Sequence, residues 1–194
     1  QGNQPLWSNN KKIAIVYNGE IYNYKELKKE LHAQGVSFQS NSDTEVILKM
    51  YELLGINSFN KLDGMFAFAY YDRVNKRMIL ARDKLGIKPL YFTRSPSLFL
   101  FASEIKPLLA WPEVRREVNE SVLPEFFAFQ TITPPETIFK GIELVPPGSI
   151  VEFDLEGTPC EQSRRYWQID EGMLHDDAVP GFENSMISAV RRAW

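Results

Sequence analysis

The sequence predicts an α+β fold in which two antiparallel sheets pack face to face between layers of helix. Two observations support this fold class. Strand-like and amphipathic helical patterns alternate in the first third of the chain, and closely spaced strand runs and then further helical patterns follow. Aromatic and β-branched residues occupy both faces of those strand runs, which indicates sheets that are covered on both sides.

The first third of the chain carries two helical patterns separated by short strands. After a polar loop over residues 1–11, an apolar strand occupies residues 12–17. Leu27 and Leu31 lie four residues apart among charged side chains, which predicts a helix over residues 24–34 with one buried stripe. We expect a short strand over residues 36–39, followed by a second helix that ends at Gly55.

The middle of the chain changes from helical to sheet periodicity. Four apolar runs with short turns between them predict an antiparallel meander, and one further strand and three helices follow. The predicted meander strands are 65–71, 76–82, 89–92 and 98–101; the later strand is 149–153, and the helices are 104–110, 121–129 and 182–193.

Residues 17–23 (YNGEIYN) combine a turn signal with polar groups suited to ligand binding. Asn-Gly at a strand end predicts a tight turn, since both residues tolerate positive φ. Gly19 lacks a Cβ, so its N–H can approach a ligand, and Asn18 adds a side-chain amide beside it. Glu20 adds a carboxylate that can hold an ammonium group. The alternative interpretation is a turn that binds nothing.

Asp43 has two interpretations as well. Ser42, Asp43 or Thr44 can cap the second helix, and a cap is the structural explanation for the aspartate. In the functional interpretation, its carboxylate joins Glu20 in holding the ammonium group of a ligand.

Composition narrows the classes of function. A net charge of -3 and a pI near 5.5 argue against a nucleic-acid partner, because binding the phosphate backbone needs a cluster of cations. The chain has no apolar run of membrane-spanning length, and its single cysteine, Cys160, fits a reducing compartment, so we expect a cytoplasmic protein. His32 and His175 are expected at the surface, with no metal site.

Five ordered stretches carry a family resemblance: 17–23 (YNGEIYN), 41–45 (NSDTE), 62–68 (LDGMFAF), 81–91 (ARDKLGIKPLY) and 101–106 (FASEIK). Together they resemble the glutaminase domain of glutamine-hydrolysing asparagine synthetases, a class II glutamine amidotransferase domain of the N-terminal-nucleophile hydrolase type. The resemblance covers about residues 1–155 and implies a four-layer αββα sandwich that here lacks its first strands.

The resemblance also implies roles for individual residues. Asn18 and Gly19 correspond to the oxyanion hole, and Glu20 and Asp43 to contacts with the α-amino group of glutamine. The 82–91 stretch corresponds to a structural turn behind the site. In the family an N-terminal cysteine attacks the amide, and the released ammonia passes to a synthetase domain that uses ATP and Mg²⁺ to activate aspartate. The glutaminase part itself uses no cofactor.

The chain departs from the family pattern at its beginning. Residue 1 is Gln1, and Cys160 has neither a terminal amine nor an adjacent histidine to activate it. We therefore expect a piece of a longer enzyme, inactive alone, with the amidotransferase domain over 1–160 and a linker with the first synthetase helix over 161–194. We expect Arg191 and Arg192 to be solvated or to contact the nucleotide-binding domain of the longer enzyme.

Three points stay open at this stage. The alternative to a fragment is an amidotransferase-like module that has lost its nucleophile and binds or senses an amino acid. Other glutamine amidotransferases share the glutaminase fold, so the acceptor of the ammonia is undetermined. The partners expected are glutamine and the synthetase domain, and a homodimer is left open.

Overall fold

The computed structural model describes residues 3–96, 98–155, 161–169 and 179–193. Its elements are β1 (Leu6–Trp7), β2 (Ile13–Ile21), α1 (Tyr24–Ala33), α2 (Asp43–Leu54), β3 (Gly64–Asp72), β4 (Arg77–Arg82), β5 (Tyr91–Ser95), β6 (Leu98–Ala102), α3 (Ile105–Leu109), α4 (Leu123–Phe129), β7 (Ile142–Leu144), β8 (Ser149–Asp154), β9 (Glu161–Arg165) and α5 (Val179–Ala193). Short 3₁₀ segments follow α2 and precede α4.

The described strands form two antiparallel sheets. The first sheet has the order β1-β2-β3-β4-β8-β9, and the second has the order β6-β5-β7. The chain is thus an α+β protein of two packed sheets with helices on the outside, as the sequence predicted.

Two apolar clusters hold the layers together. In the first, Leu27 of α1 and Ile47 of α2 pack against one face of the first sheet, where Phe68 and Tyr70 are buried. In the second, Ala67 and Leu80 on the opposite face meet the second sheet at Phe92. The α3 helix contacts β5 and β6 and buries Leu108, which adds a helix to the second sheet.

The predicted four-strand meander is divided between the sheets. β3 and β4 form a hairpin of the first sheet, but the next neighbour of β4 is β8, and β5 with β6 belong to the second sheet. The connection over residues 83–90 carries the chain from one layer to the other. Short spacing between apolar runs indicates strands, but it does not determine which strands pair.

The strand predicted over residues 36–39 is wrong. Val36 donates its N–H to the carbonyl of Leu31, and Gln39 donates its N–H to the side chain of Glu45. These contacts satisfy backbone groups that a strand would pair with a neighbour. Conversely, three strands were not predicted: the short strands β1 and β7, and β9, which follows a polar segment.

Among the described residues, no helix has the length and apolar character needed to span a bilayer.

Candidate functional site

The Asn18-Gly19-Glu20 sequence lies inside a strand and not in a turn, which corrects the prediction. β2 pairs with β3 along its whole length, up to the pair formed by Ile21 and Gly64. The conformational freedom of glycine is used at Gly19 (φ 153°), but it serves a close approach between two strands.

Gly19 and Gly64 allow β2 and β3 to approach closely at the end of the hairpin. A Cβ atom on Gly19 would lie 2.2 Å from the backbone oxygen of Met65 and 2.7 Å from Cα of Phe66. A Cβ atom on Gly64 would lie 2.2 Å from the backbone oxygen of Glu20. Both contacts are with backbone, which cannot move aside easily, so any larger residue would displace the strand that carries the site.

The N–H of Gly19 points to the free edge of β2. Phe66, which stands opposite Gly19, uses its N–H to bind the Asp83 side chain and its carbonyl to accept from the Asp83 N–H. The pair formed by Gly19 and Phe66 is therefore a non-hydrogen-bonded pair, in which the backbone groups of Gly19 face away from β3. On that edge β1 pairs only with Ala14 and Ile15.

Asp43 lies at the start of α2, beside the end of β2. The N-cap of α2 is Ser42, whose side chain accepts from the N–H of Thr44 at 3.1 Å. Oδ1 of Asp43 accepts from the same N–H at 2.8 Å, and Oδ2 reaches across to β2, where it accepts from the Tyr17 hydroxyl at 2.7 Å and from the Ile21 N–H at 3.3 Å. Ser42 is thus the N-cap, while Asp43 both binds an N–H of the first helical turn and joins the helix to the strand.

Glu20 and Asp43 line one cleft of about 370 Å³. The wall of this cleft also includes Tyr22 and Tyr24, and its rim includes Arg191 and Arg192 of α5. Two carboxylates that are distant in sequence therefore share one concave surface. Of the four predicted site residues, these are the two that the described structure brings into the same cleft.

Asn18 lies in a neighbouring cavity of about 210 Å³ between the two sheets. Its side-chain amide donates to the hydroxyl of Ser103 at 3.5 Å, and Ser103 follows directly after β6. Tyr17 of β2 borders this cavity, but its hydroxyl contacts Asp43 of the adjacent cleft. Gly19 lies between Asn18 and Glu20 on the strand, so the cavity and the cleft meet at β2.

Tyr17 is a residue of the candidate site that was not predicted from the sequence. Burial raises its pKa well above the usual range, and its hydrogen bond to Asp43 and the charges of Asp43 and Glu20 raise it further. Tyr17 therefore stays protonated and acts as a hydrogen-bond donor at any working pH. Its place in the YNGEIYN motif is a sequence signal, but the contact with Asp43 depends on the packing of α2.

Arg82 and Asp83 build the turn behind the site, as the resemblance implied. Arg82 donates to the carbonyl oxygens of Lys88 at 2.8 Å and Val145 at 2.9 Å, and also to that of Gly86. The carboxylate of Asp83 accepts from the N–H groups of Phe66, Leu85, Ile87 and Lys88. Because Phe66 stands opposite Gly19, this turn supports the strand pair at the site.

The histidines, the cysteine and the C-terminal arginines lie apart from the predicted oxyanion-hole and carboxylate residues in the sequence analysis, and the structure describes only some of them. His32 is exposed, as expected, and no group of three or more metal-binding side chains occurs within the described part of the chain. Cys160 and His175 lie outside the described residues. Arg192 donates to Asp63 at 2.9 Å in an exposed ion pair, and the contact predicted between the arginine pair and a nucleotide domain stays a prediction.

Comparison with known proteins identifies the family. The profile described as glutamine amidotransferase domain matches residues 1–167. The fold that carries this cleft is thus that of a class II glutamine amidotransferase domain of the N-terminal-nucleophile hydrolase type. The chain belongs to the glutamine amidotransferase domain family and is homologous to the glutaminase domains of asparagine synthetases.

Relatives and solved structures agree with this assignment. Glutamine-hydrolyzing asparagine synthetases 3 and 2 of Bacillus subtilis (strain 168) are 38% and 33% identical over 98% of this chain. The chain spans 32% and 27% of their lengths, which is a third or less. A B. subtilis glutamine phosphoribosylpyrophosphate amidotransferase structure has a TM-score of 0.57 and 26% identity, over 86% of this chain and 32% of that chain.

The proposed division between residues 160 and 161 stays a prediction. The profile match extends to residue 167, and β9 pairs with β8 as the last described strand of the first sheet.

Proposed function

We propose that this chain binds glutamine in the cleft beside β2 and positions its side-chain amide for hydrolysis. The observation that carries the proposal is that the Glu20 and Asp43 carboxylates share one cleft at the end of the strand that holds Asn18 and Gly19. The two carboxylates attract the α-ammonium group, and the cleft excludes part of the solvent that would screen this attraction.

Asn18 and Gly19 serve as the oxyanion hole in this proposal. The Gly19 N–H points to the free edge of β2, and the Asn18 amide lies next to it in the cavity between the sheets. Two such donors, fixed before the reaction, stabilise the negative charge that develops on the amide oxygen during attack. Removal of one oxyanion-hole donor typically costs about 10²–10³ in kcat.

The family chemistry supplies the nucleophile from a cysteine thiol, and no described residue of this chain is a cysteine. In this proposal the residues of the cleft bind and polarise the substrate, and the attacking thiol is that of the family's N-terminal cysteine and not that of Cys160. The ammonia then serves an acceptor domain, which in an asparagine synthetase activates aspartate with ATP and Mg²⁺. We favour aspartate as the acceptor because two relatives that align over 98% of this chain are named asparagine synthetases.

Isothermal titration of the 194-residue chain with L-glutamine tests the binding proposal. We expect saturable binding that Asp43→Asn weakens at least tenfold, because the substitution removes one of the two charges that hold the ammonium group. Asp154→Asn, an exposed carboxylate at the end of β8, is the matched control and should leave the affinity within about twofold. Equal affinity of the wild-type and Asp43→Asn chains would refute the proposed site.

A further inference from the structure

Tyr17 joins β2 to the helix that supplies Asp43. Its hydroxyl donates to Oδ2 of Asp43 at 2.7 Å, and the same oxygen accepts from the Ile21 N–H at the longer distance of 3.3 Å. The other oxygen, Oδ1, accepts from the N–H of Thr44 at 2.8 Å. The shortest of these contacts is the one with the Tyr17 hydroxyl, which is also the only side-chain donor to Asp43 among the described residues.

The position of the Tyr17 ring is fixed by packing. Tyr17 is half-buried against the apolar cluster between the first sheet and the helices α1 and α2. A hydroxyl on an immobilised ring loses little conformational freedom when it binds a carboxylate, and an O–H···O⁻ bond is stronger than a bond between neutral groups. The hydroxyl also lies in the field of Glu20, the other carboxylate of the cleft.

We infer that Tyr17 is a positioning residue for glutamine: its hydroxyl fixes the direction of the Asp43 carboxylate and so raises the affinity of the cleft for the α-ammonium group. The inference rests on the proposed function. Without this hydroxyl, Oδ2 keeps only the longer contact with Ile21, and the Thr44 N–H holds the carboxylate through Oδ1 alone, so the direction of Oδ2 is less restricted about the terminal torsion. Tyr17 itself does not line the cleft.

The test compares wild-type and Tyr17→Phe chains by isothermal titration. The substitution removes one hydroxyl and keeps the packed ring. We expect the Kd for L-glutamine to rise about three- to tenfold, since hydrogen bonds to charged groups are among the stronger ones. The Kd for glutaramate, which is glutamine without its amino group, should change less than about twofold, because that ligand has no ammonium group for Asp43 to hold.

Tyr51→Phe is the matched control. Tyr51 donates to Oδ2 of Asp72 at 2.9 Å, which repeats the same chemical pair at a buried position outside the cleft. Loss of this hydroxyl should lower the melting temperature while the Kd for L-glutamine stays within about twofold. A merely structural role for Tyr17 would give the same result for Tyr17→Phe.

A measurement on the wild-type chain does not depend on a variant that folds. In NMR spectra of ¹³C-labelled tyrosine, the Cζ resonance of Tyr17 should move on binding L-glutamine, while that of Tyr51 should not. An unmoved Tyr17 resonance at saturation, or an unchanged Kd in a folded Tyr17→Phe chain, would overturn the inference and leave the proposed function standing. A wild-type chain that does not bind L-glutamine would overturn both.

Discussion

Asp83→Asn is the substitution that most directly tests how the fold supports the site. The Asp83 side chain is buried, and its two oxygens accept from four backbone N–H groups at 2.9–3.1 Å. Each oxygen takes two of these donors. Asparagine has the same shape, but its amide nitrogen would stand where one oxygen accepted, so two N–H groups would lose their acceptor and face another donor.

The expected loss follows from counting these contacts. Hydrogen bonds to charged groups contribute about 1.5–3 kcal/mol each, so losing two lowers the free energy of unfolding by about 3–6 kcal/mol. This is a large share of the roughly 5–15 kcal/mol that stabilises a typical domain. The contact with Phe66 lies opposite Gly19, so we also expect weaker glutamine binding in any Asp83→Asn chain that still folds.

Urea denaturation followed by circular dichroism measures the change. Asp63→Asn is the matched control, because it removes the same charge from an exposed ion pair with Arg192, and such pairs contribute about 0–1 kcal/mol. If Asp83→Asn cost no more than Asp63→Asn, then the carboxylate would not hold the turn, and the reasoning about the support of β3 would be wrong.

Two further predictions concern the strand pair and the behaviour in acid. Gly64→Ala places a Cβ 2.2 Å from a backbone oxygen and should cost at least about 1–3 kcal/mol in urea denaturation, whereas Gly181→Ala, which meets nothing within 4 Å, should cost nothing. Burial acts to raise the pKa of Glu45, but hydrogen bonds from the side chain of Ser40 and from the backbone N–H groups of residues 39–40 outweigh it and lower the pKa. Because the pKa of Glu45 is lower in the folded state, its carboxylate stabilises the fold at pH values above the ordinary pKa of 4.5. This contribution is lost as the pH falls through the pKa of the folded state. Denaturation between pH 7 and pH 3 should therefore show a weaker dependence on pH for Glu45→Gln than for the wild type, and an identical dependence would contradict this account.

Local patterns were sufficient to predict much of the fold. The helix with Leu27 and Leu31 was confirmed, because burial of one helix face places apolar residues four positions apart. The strand predicted over residues 65–71 was also confirmed, because a strand buried on both faces is a continuous apolar run. The pairing of strands was not predictable in this way. Asp83 directs the chain from β4 to the second sheet through local contacts within residues 85–88 and through contacts with Phe66 and Gly148, which are adjacent to it only in the folded structure.

The candidate site shows the same division. The motif 17–23 located the chemical groups, but Asn-Gly was interpreted as a turn signal because glycine tolerates positive φ in turns as well as in close strand contacts. Only the register between β2 and β3 distinguishes these uses. The contact between Tyr17 and Asp43 spans 26 residues and depends on where α2 begins, which local sequence does not define closely.

The geometry of β2 explains why the proposed oxyanion donor falls on Gly19. Alternate N–H groups of this strand point to its free edge: that of Tyr17 donates to the Gln4 side chain at 2.6 Å, and that of Ile21 donates to Asp43. Gly19 lies midway between them, and β1 does not extend far enough to pair with it. The neighbouring donors are thus occupied by side chains of this chain, and the Gly19 N–H is directed where a substrate oxygen can accept it. The same residue must be glycine because the backbone of β3 leaves no space for a Cβ atom at this position. Strand packing and the proposed chemistry therefore both require a glycine at residue 19.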